Sequence, residues 1–251
     1  MGSEPNNGVD NPVISTLQVK ANGLQLTVLI PVFNEKENLM SLISRVQAVP
    51  LCKEILIMDD ASTDGTRELL QQMVEGKSPE IRVYYSDHNE GKGASLRKLI
   101  PHILSPYAIV QDGDMEYDPM DYLPILDKLK KSGADAVYGS RFMHGWPKMN
   151  PANKLINILL AGMVRIFFGV HITDEATCYK AFKTEKLQSL RLTCRRFEFC
   201  PEVTAKLLRQ GGHILEVPIH YEARSILQGK KIRWTDGVVA IWTLIKYRLI
   251  K

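Results

Sequence analysis

Four acid-bearing turns follow one another in the first half of the chain: PVFNE at 31–35, DDASTDGT at 59–66, HNEGKG at 88–93 and DGD at 112–114. Asp112 and Asp114 flank Gly113, whose missing side chain lets backbone and ligand come close. Two carboxylates so spaced are hard oxygen donors. They suit Mg²⁺ or Mn²⁺, which take one or two carboxylates together with phosphate oxygens. Asp-Gly-Asp is also an ordinary turn; its weight here comes from the apolar YAIVQ before it and from the earlier DD turn. Asp60, at the tip of EILIMD, is expected to accept hydrogen bonds from a base N–H or ribose hydroxyls. Asp64 is expected to cap the next helix. Asn34 and Glu35 stand similarly after the first apolar run, although Glu35 also suits a helix start through its dipole. Lys92, between two glycines and ahead of a helix, is expected to hold an anionic oxygen, with a solvated turn lysine as the alternative. The full phosphate-loop pattern is absent, because Ala94 follows Gly93.

These turns need a scaffold that brings them together. Apolar runs at 26–32, 54–59, 81–86, 107–112 and 134–140 alternate with helix-like stretches at 35–47, 64–74, 94–104 and 123–133. That alternation predicts βαβ units and a largely parallel sheet. In such sheets ligands bind at the carboxyl ends of the strands, where the first, second and fourth turns are expected.

At 251 residues the chain has room for one large α/β domain, and its net charge of +4 is modest. The basic residues gather in the second half without the aromatic interleaving of a nucleic-acid stripe, so no nucleic-acid partner is expected. Cys52, Cys178, Cys194 and Cys200 show no C-x-x-C spacing, which predicts reduced thiols, a cytosolic setting and no zinc site. Residues 1–23 are polar and are expected to form a flexible tail, with no secretory signal. The apolar stretch 153–169 contains Asn157 and Arg165 and is expected to be too short and too interrupted to span a bilayer. It reads as a core helix or as one lying on a membrane surface, and 236–251, with Trp242, Tyr247 and basic residues, raises the same question. No membrane anchor is expected after it.

Taken in order, PVFNE, DDASTDGT, NEGKGAS, DGDMEYDP and GSRF resemble the family-2 glycosyltransferases with the nucleotide-diphospho-sugar transferase fold, closest to the polyprenyl-phosphate sugar transferases of dolichol-phosphate mannose synthase type. The likeness runs from about residue 26 to 250. It implies a single Rossmann-like α/β domain, a mostly parallel central sheet with helices on both faces. Residues 24–251 would be catalytic, with a nucleotide-sugar half at 24–140 and an acceptor half with amphipathic helices at 141–251. It implies a nucleotide site of Pro31, Phe33, Asn34, Glu35, Asp60, Ser62, Lys92, Asp112 and Gly113, and a Mg²⁺ or Mn²⁺ ion on Asp112 and Asp114. Asp112, Asp114, Arg141 and Asp174 form the implied catalytic set, with a structural corner that holds Arg141 in a salt bridge as the alternative for the GSR turn. Asp174 opens a stretch, TDEATCYKAF, in which Cys178 replaces the usual glycine, leaving open whether Asp174 or Glu175 matters. Phe197, Glu198, Phe199 and Glu202 look like the start of the family's acceptor-side helix.

The implied reaction is inverting transfer of a sugar from a UDP- or GDP-sugar to a polyprenyl phosphate on the cytoplasmic face of a membrane, with peripheral contact and an anchoring subunit as possible partners. A lipid phosphate needs no base but does need cations, and Arg141, Arg224, Lys230 and Lys231 are the candidates. Three rivals stand beside this reading: the same fold serving a soluble hydroxyl with Asp174 or Glu175 as base, a silent sugar-nucleotide-binding subunit, and, ranked last because PVFNEKEN follows the first strand in place of a glycine-rich loop, a nucleotidyltransferase. Processive polymerisation is not expected, since Lys230 stands where the Gln of Q-x-x-R-W would be. The base, the sugar, the acceptor's chain length and the oligomeric state stay open.

Overall fold

The computed structural model describes residues 23–223 and 234–250. The expected tail, apart from Gly23, lies outside the described residues, as do Arg224, Lys230 and Lys231. The chain opens with β1 (Leu26–Val32), α1 (Lys36–Ala48), β2 (Lys53–Asp59), α2 (Thr66–Met73), β3 (Ile81–Tyr85), α3 (Lys92–Leu99) and β4 (Tyr107–Val110). It continues with α4 (Tyr122–Ser132), β5 (Ala136–Ser140), α5 (Pro151–Phe168), β6 (Lys180–Lys183), α6 (Thr184–Ser189), α7 (Phe199–Arg209), β7 (Ile214–Pro218) and α8 (Trp234–Leu249).

One seven-stranded sheet runs β3-β2-β1-β4-β6-β5-β7. β1 is parallel to β2 and β4, β2 to β3, and β5 to β7. Every residue of β1 and β2 is buried, so both sheet faces are covered there, as their unbroken apolar runs require. The chain winds from β1 through β2 to β3 on one side and places β4 on the other. This reversal opens a crevice beyond the strand ends at β1 and β4. The β1–β2 register, ending in Val32 beside Asp59, brings the PVFNE and DD turns to the same sheet edge.

β6 differs from the sequence expectation. It runs antiparallel to both β4 and β5, in a stretch that the residues alone present as a motif rather than a strand. Its first residue, Lys180, is fully buried, with Nζ donating to the Glu175 carbonyl at 2.8 Å and lying 3.5 Å from the Tyr138 ring centre. A buried lysine at the head of a four-residue strand hides the apolar pattern.

α5 begins at Asn150, whose side chain accepts from Ala152 N–H at 2.9 Å, and ends at Gly169 in the left-handed region with φ 73°. Its 18 residues, with a mean hydropathy of 1.3, are long and apolar enough to cross a membrane by length and composition, contrary to the expectation from Asn157 and Arg165. In the fold it packs on α7 and α8, burying Leu160, Ala161 and Val164, while buried Asn157 donates to the Thr173 carbonyl at 3.2 Å and accepts from Ala176 N–H at 2.8 Å. Its other side exposes Leu155, Ile158, Leu159 and Ile166, and neighbouring α8 exposes Val238, Val239 and Trp242.

Candidate active site

The DGD turn is fixed from behind. Gln111 is fully buried; its Oε1 accepts from the hydroxyls of Tyr122 at 2.5 Å and Tyr179 at 2.6 Å, and its amide donates to the Asp112 carbonyl at 2.9 Å. A Cβ on Gly113 would lie 3.1 Å from Val32 Cγ1 and 3.4 Å from the Pro31 carbonyl, so glycine lets the turn press against the exit of β1. Asp114 Oδ1 accepts from Glu116 N–H at 3.2 Å. Asp112 Oδ1 is ion-paired with Lys92, whose Nζ also lies 3.6 Å from Cys178 Sγ. Burial, the largest single influence, would lower the Lys92 pKa, but the Asp112 charge together with the neighbouring Cys178 and Cys200 and the hydrogen bond to Asp112 holds the ammonium above its ordinary range.

The other turns grip one another. Asp64 Oδ1 accepts from the backbone and hydroxyl of Thr66, and Oδ2 accepts from Lys36 N–H, so it secures the start of α2 and ties it to α1. Asn34, at φ 52°, donates its N–H to Ser62 Oγ at 2.9 Å and accepts from Thr63 N–H at 2.8 Å. Asparagine tolerates this left-handed conformation better than most residues. Asp60 accepts from the N–H groups of Glu90 at 3.0 Å and Gly91 at 2.7 Å, clamping the HNEGKG turn beside the crevice. Glu35 precedes α1, and its Oε2 accepts from the Asn38 side-chain amide at 3.1 Å without capping the helix backbone.

The helix start after Lys92 is committed elsewhere. Gly93 N–H donates to the Arg196 carbonyl at 3.0 Å and Ala94 N–H to the Arg195 carbonyl at 2.9 Å. A Cβ on Gly91 would stand 2.6 Å from the Arg195 carbonyl oxygen. The expected anion site therefore reduces to the Lys92 ammonium, because backbone from 195–196 has taken those amides.

Past β5, Arg141 is bound to fully buried Asp174. Its Nε and Nη2 donate to the two carboxylate oxygens at 2.7 Å each, and its backbone N–H adds a bond of 2.9 Å. Glu216 supports this pair by accepting from Thr173 and Asp174 N–H. The guanidinium lies 5.1 Å from the Tyr221 ring centre. Neighbouring Glu175 is fully buried; Thr204 donates to its Oε1 at 3.1 Å, while Oε2 has no hydrogen-bond partner. Burial pushes its pKa up to about 7. Both carboxyls are buried, but they differ in placement: Asp174 is held behind Arg141, whereas Glu175 reaches the wall of the central cavity.

A cavity of about 850 Å³ unites these parts. Of the residues expected from sequence, Pro31, Phe33, Glu35, Asp60, Lys92, Asp112, Gly113, Asp114, Arg141, Glu175 and Phe197 line it. Asn34 and Ser62 stand outside the lining and fasten the turns, and Asp174 sits behind Arg141. Asp174 is thus a positioning residue rather than a group facing substrate. Two lining cations, Arg195 and Arg196, went unremarked in the sequence. Their signal was position: adjacent arginines directly before Phe197. The cavity is also bordered by Met149, Asn153 and Ile156 near or on α5 and by Asp236, Gly237 and Ala240 of α8.

Residues 27–191 match the family described as Glycosyl transferase family 2. A polyprenol monophosphomannose synthase of Mycolicibacterium smegmatis is 29% identical over 227 residues, covering 86% of this chain and 85% of its own. An undecaprenyl-phosphate mannosyltransferase of Micrococcus luteus is 26% identical over 246 residues, covering 90% and 99%. Among solved structures, glucosyl-3-phosphoglycerate synthase of Mycobacterium tuberculosis, in complex with Mn²⁺, UDP and glucosyl-3-phosphoglycerate, gives a TM-score of 0.70 at 17% identity, covering 100% of this chain and 88% of that one. The same enzyme with Mg²⁺ and UDP gives 0.69 at 18% identity, covering 95% and 84%. At such identities the structural likeness establishes the fold.

Proposed function

The chain belongs to glycosyl transferase family 2 and is a glycosyltransferase; from that premise we propose that it moves a sugar from a nucleotide diphosphate sugar to a polyprenyl phosphate at a membrane surface. The observation that carries this reading is one cavity joining the Asp112–Asp114 pair to Arg141, Arg195 and Arg196 and bordered by α5 and α8, whose outward sides are apolar. Residues 24–140 supply the donor side, and 141–251 supply the acceptor side.

Asp112 and Asp114 fit a divalent cation by the chemistry of the donor set. Both are hard oxygen ligands, Asp112 already faces a cation in Lys92, and among the described residues no cluster of three or more His, Cys, Asp or Glu forms a closed cage. Bound there, Mg²⁺ or Mn²⁺ would neutralise charge on the leaving diphosphate. Phe33, Glu35 and Asp60 enclose the nucleotide, while the Gln111 hydrogen bonds hold the DGD turn in place for it. Arg141, kept oriented by Asp174, presents its guanidinium to phosphate oxygen. The acceptor phosphate is already anionic, so inverting attack needs no base. The exposed apolar sides of α5 and α8 rest on the cytoplasmic leaflet as a peripheral contact.

The test is transfer from a panel of UDP- and GDP-sugars, with Mn²⁺ or Mg²⁺ and a short polyprenyl phosphate, comparing the native chain with Asp114→Ala. Lipid-linked sugar formed by the native protein alone supports the reading. Metal-dependent release of nucleotide without lipid product moves the acceptor to a soluble hydroxyl, and no turnover with any donor overturns it.

A further inference from the structure

Resting on the donor reading above, the geometry points to Lys92 as an internal counter-ion that yields Asp112 to a divalent cation only when a diphosphate arrives to receive its charge. Three observations meet at this residue. Its ammonium lies on Asp112 Oδ1, with the lysine side chain 14% and the aspartate side chain 25% exposed. Its further contact, Cys178 Sγ at 3.6 Å, is a weak acceptor that cannot replace a carboxylate. The N–H groups of Gly91, Gly93 and Ala94 are already bonded to Asp60, Arg196 and Arg195, so an anion reaching this end of α3 meets the ammonium and gains nothing from those amides.

A divalent cation and an ammonium on one carboxylate repel strongly at hydrogen-bonding distances in a partly buried site. A metal arriving alone must therefore displace Lys92 into a poorly solvated position with a weak acceptor for company. A diphosphate would change the balance, because it offers oxygen ligands to a divalent cation and acceptors to the Lys92 ammonium. Metal and diphosphate consequently bind with positive coupling, and linkage makes the effect equal in both directions. No backbone movement is required; rotation of one lysine side chain suffices. The consequence for turnover is that the chain does not hold metal tightly between reactions, and the donor's own diphosphate recruits it.

The experiment measures Mn²⁺ retained by the full chain in equilibrium dialysis, with and without inorganic pyrophosphate, a probe independent of the unknown base, and Mn²⁺ with pyrophosphate but no protein sets the baseline for the complex they form in solution. Native protein is expected to bind Mn²⁺ weakly alone and about tenfold more tightly with pyrophosphate. Lys92→Met and Lys92→Gln are expected to bind Mn²⁺ alone about tenfold more tightly than native protein and to lose most of the coupling, whereas Lys92→Arg keeps it. Circular dichroism establishes which variants are folded, and the glutamine and arginine forms serve if the methionine form is not. Unchanged Mn²⁺ affinity and unchanged coupling in Lys92→Gln overturn the inference. Asp112→Asn separates its failure from that of the donor reading: if this variant loses Mn²⁺ while Lys92→Gln changes nothing, the donor site stands and the counter-ion role falls. If Asp112→Asn retains native Mn²⁺ affinity, the metal is not on this turn and both fall.

Discussion

Among the cation–carboxylate pairs at the cavity, one on the β4 side and one on the β5 side are built for different purposes. In Arg141–Asp174 the carboxylate is withdrawn entirely from solvent, gripped at two points by a planar guanidinium and at a third by backbone, and backed by Glu216. In Lys92–Asp112 the carboxylate lies in the cavity wall and meets a single ammonium on a flexible stem. A forked, fully satisfied pair stores orientation; a point charge on a partly open carboxylate can be exchanged. The comparison teaches that identical net charge at a site's edge says little until the hydrogen bonds around it are counted.

The contrast makes graded predictions. Removing the Asp174 carboxylate with Asp174→Ala strands a buried guanidinium and is expected to cost about 3–5 kcal/mol of stability, read by denaturant unfolding. Lys92→Met, which leaves a carboxylate that water can reach, should cost well under half of that. Equal costs for the two would erase the distinction drawn here. Glu175, beside Asp174, refines it further, because its carboxyl is buried with one oxygen unpartnered and its folded pKa stands near 7 against an ordinary 4.5. A raised acid pKa means the folded state binds the proton more tightly. Its contribution is fully present below pH 4.5 and is lost as pH rises to about 7, on the order of 3 kcal/mol in all. Native stability relative to Glu175→Gln should therefore fall over that window and level off above it; a flat difference from pH 4.5 to 8 would remove the shifted carboxyl. Arg141→Lys keeps charge but loses the fork, and kcat/KM for lipid-linked product is expected to fall about 100-fold with little change in fold. The smallest effect concerns which side faces lipid: Trp242→Ala on α8, at a position 62% exposed, should weaken binding to anionic vesicles about tenfold while leaving nucleotide affinity unchanged. Loss of nucleotide affinity instead would place that residue in the site.

Much of the fold was legible because strands β1 to β5 carry continuous apolar runs and each glycine- or acid-bearing turn is contiguous in sequence. β6 escaped because KAFK is four residues long and begins with a buried lysine whose partners, Glu175 and Tyr138, come from other parts of the chain. The cavity residues Glu35, Asp60, Lys92, Asp112, Gly113 and Asp114 are legible from local pattern, whereas Pro31, Phe33 and Arg141 come from the family resemblance. Their partners are legible from neither. Asp60 reads as an acceptor for a ligand until the turn at 90–91 folds over it, and the N-terminus of α3 reads as an anion site until residues 195–196 occupy its amides. In both places contact between segments 30 to about 100 residues apart overrides a correct local inference about hydrogen-bonding capacity. Arg195 and Arg196 reach the cavity by the same long connection.

The strand order also bears on how the protein is made. β1, β2, β3 and β4 can pair with one another as soon as they leave the ribosome, but β5 bonds only to β6 and β7 within the sheet. For the forty residues of synthesis from Ser140 to Lys180, a nascent chain therefore carries a strand buried throughout in the finished protein with no neighbour yet available to pair with it. Translation through that interval exposes an unpaired apolar edge, the condition in which chaperone capture and misassembly compete with folding. The antiparallel insertion of β6 between β4 and β5 thus makes productive folding of the second half wait on a short segment, and it marks the stretch before Lys180 as the vulnerable window in the life of each new chain.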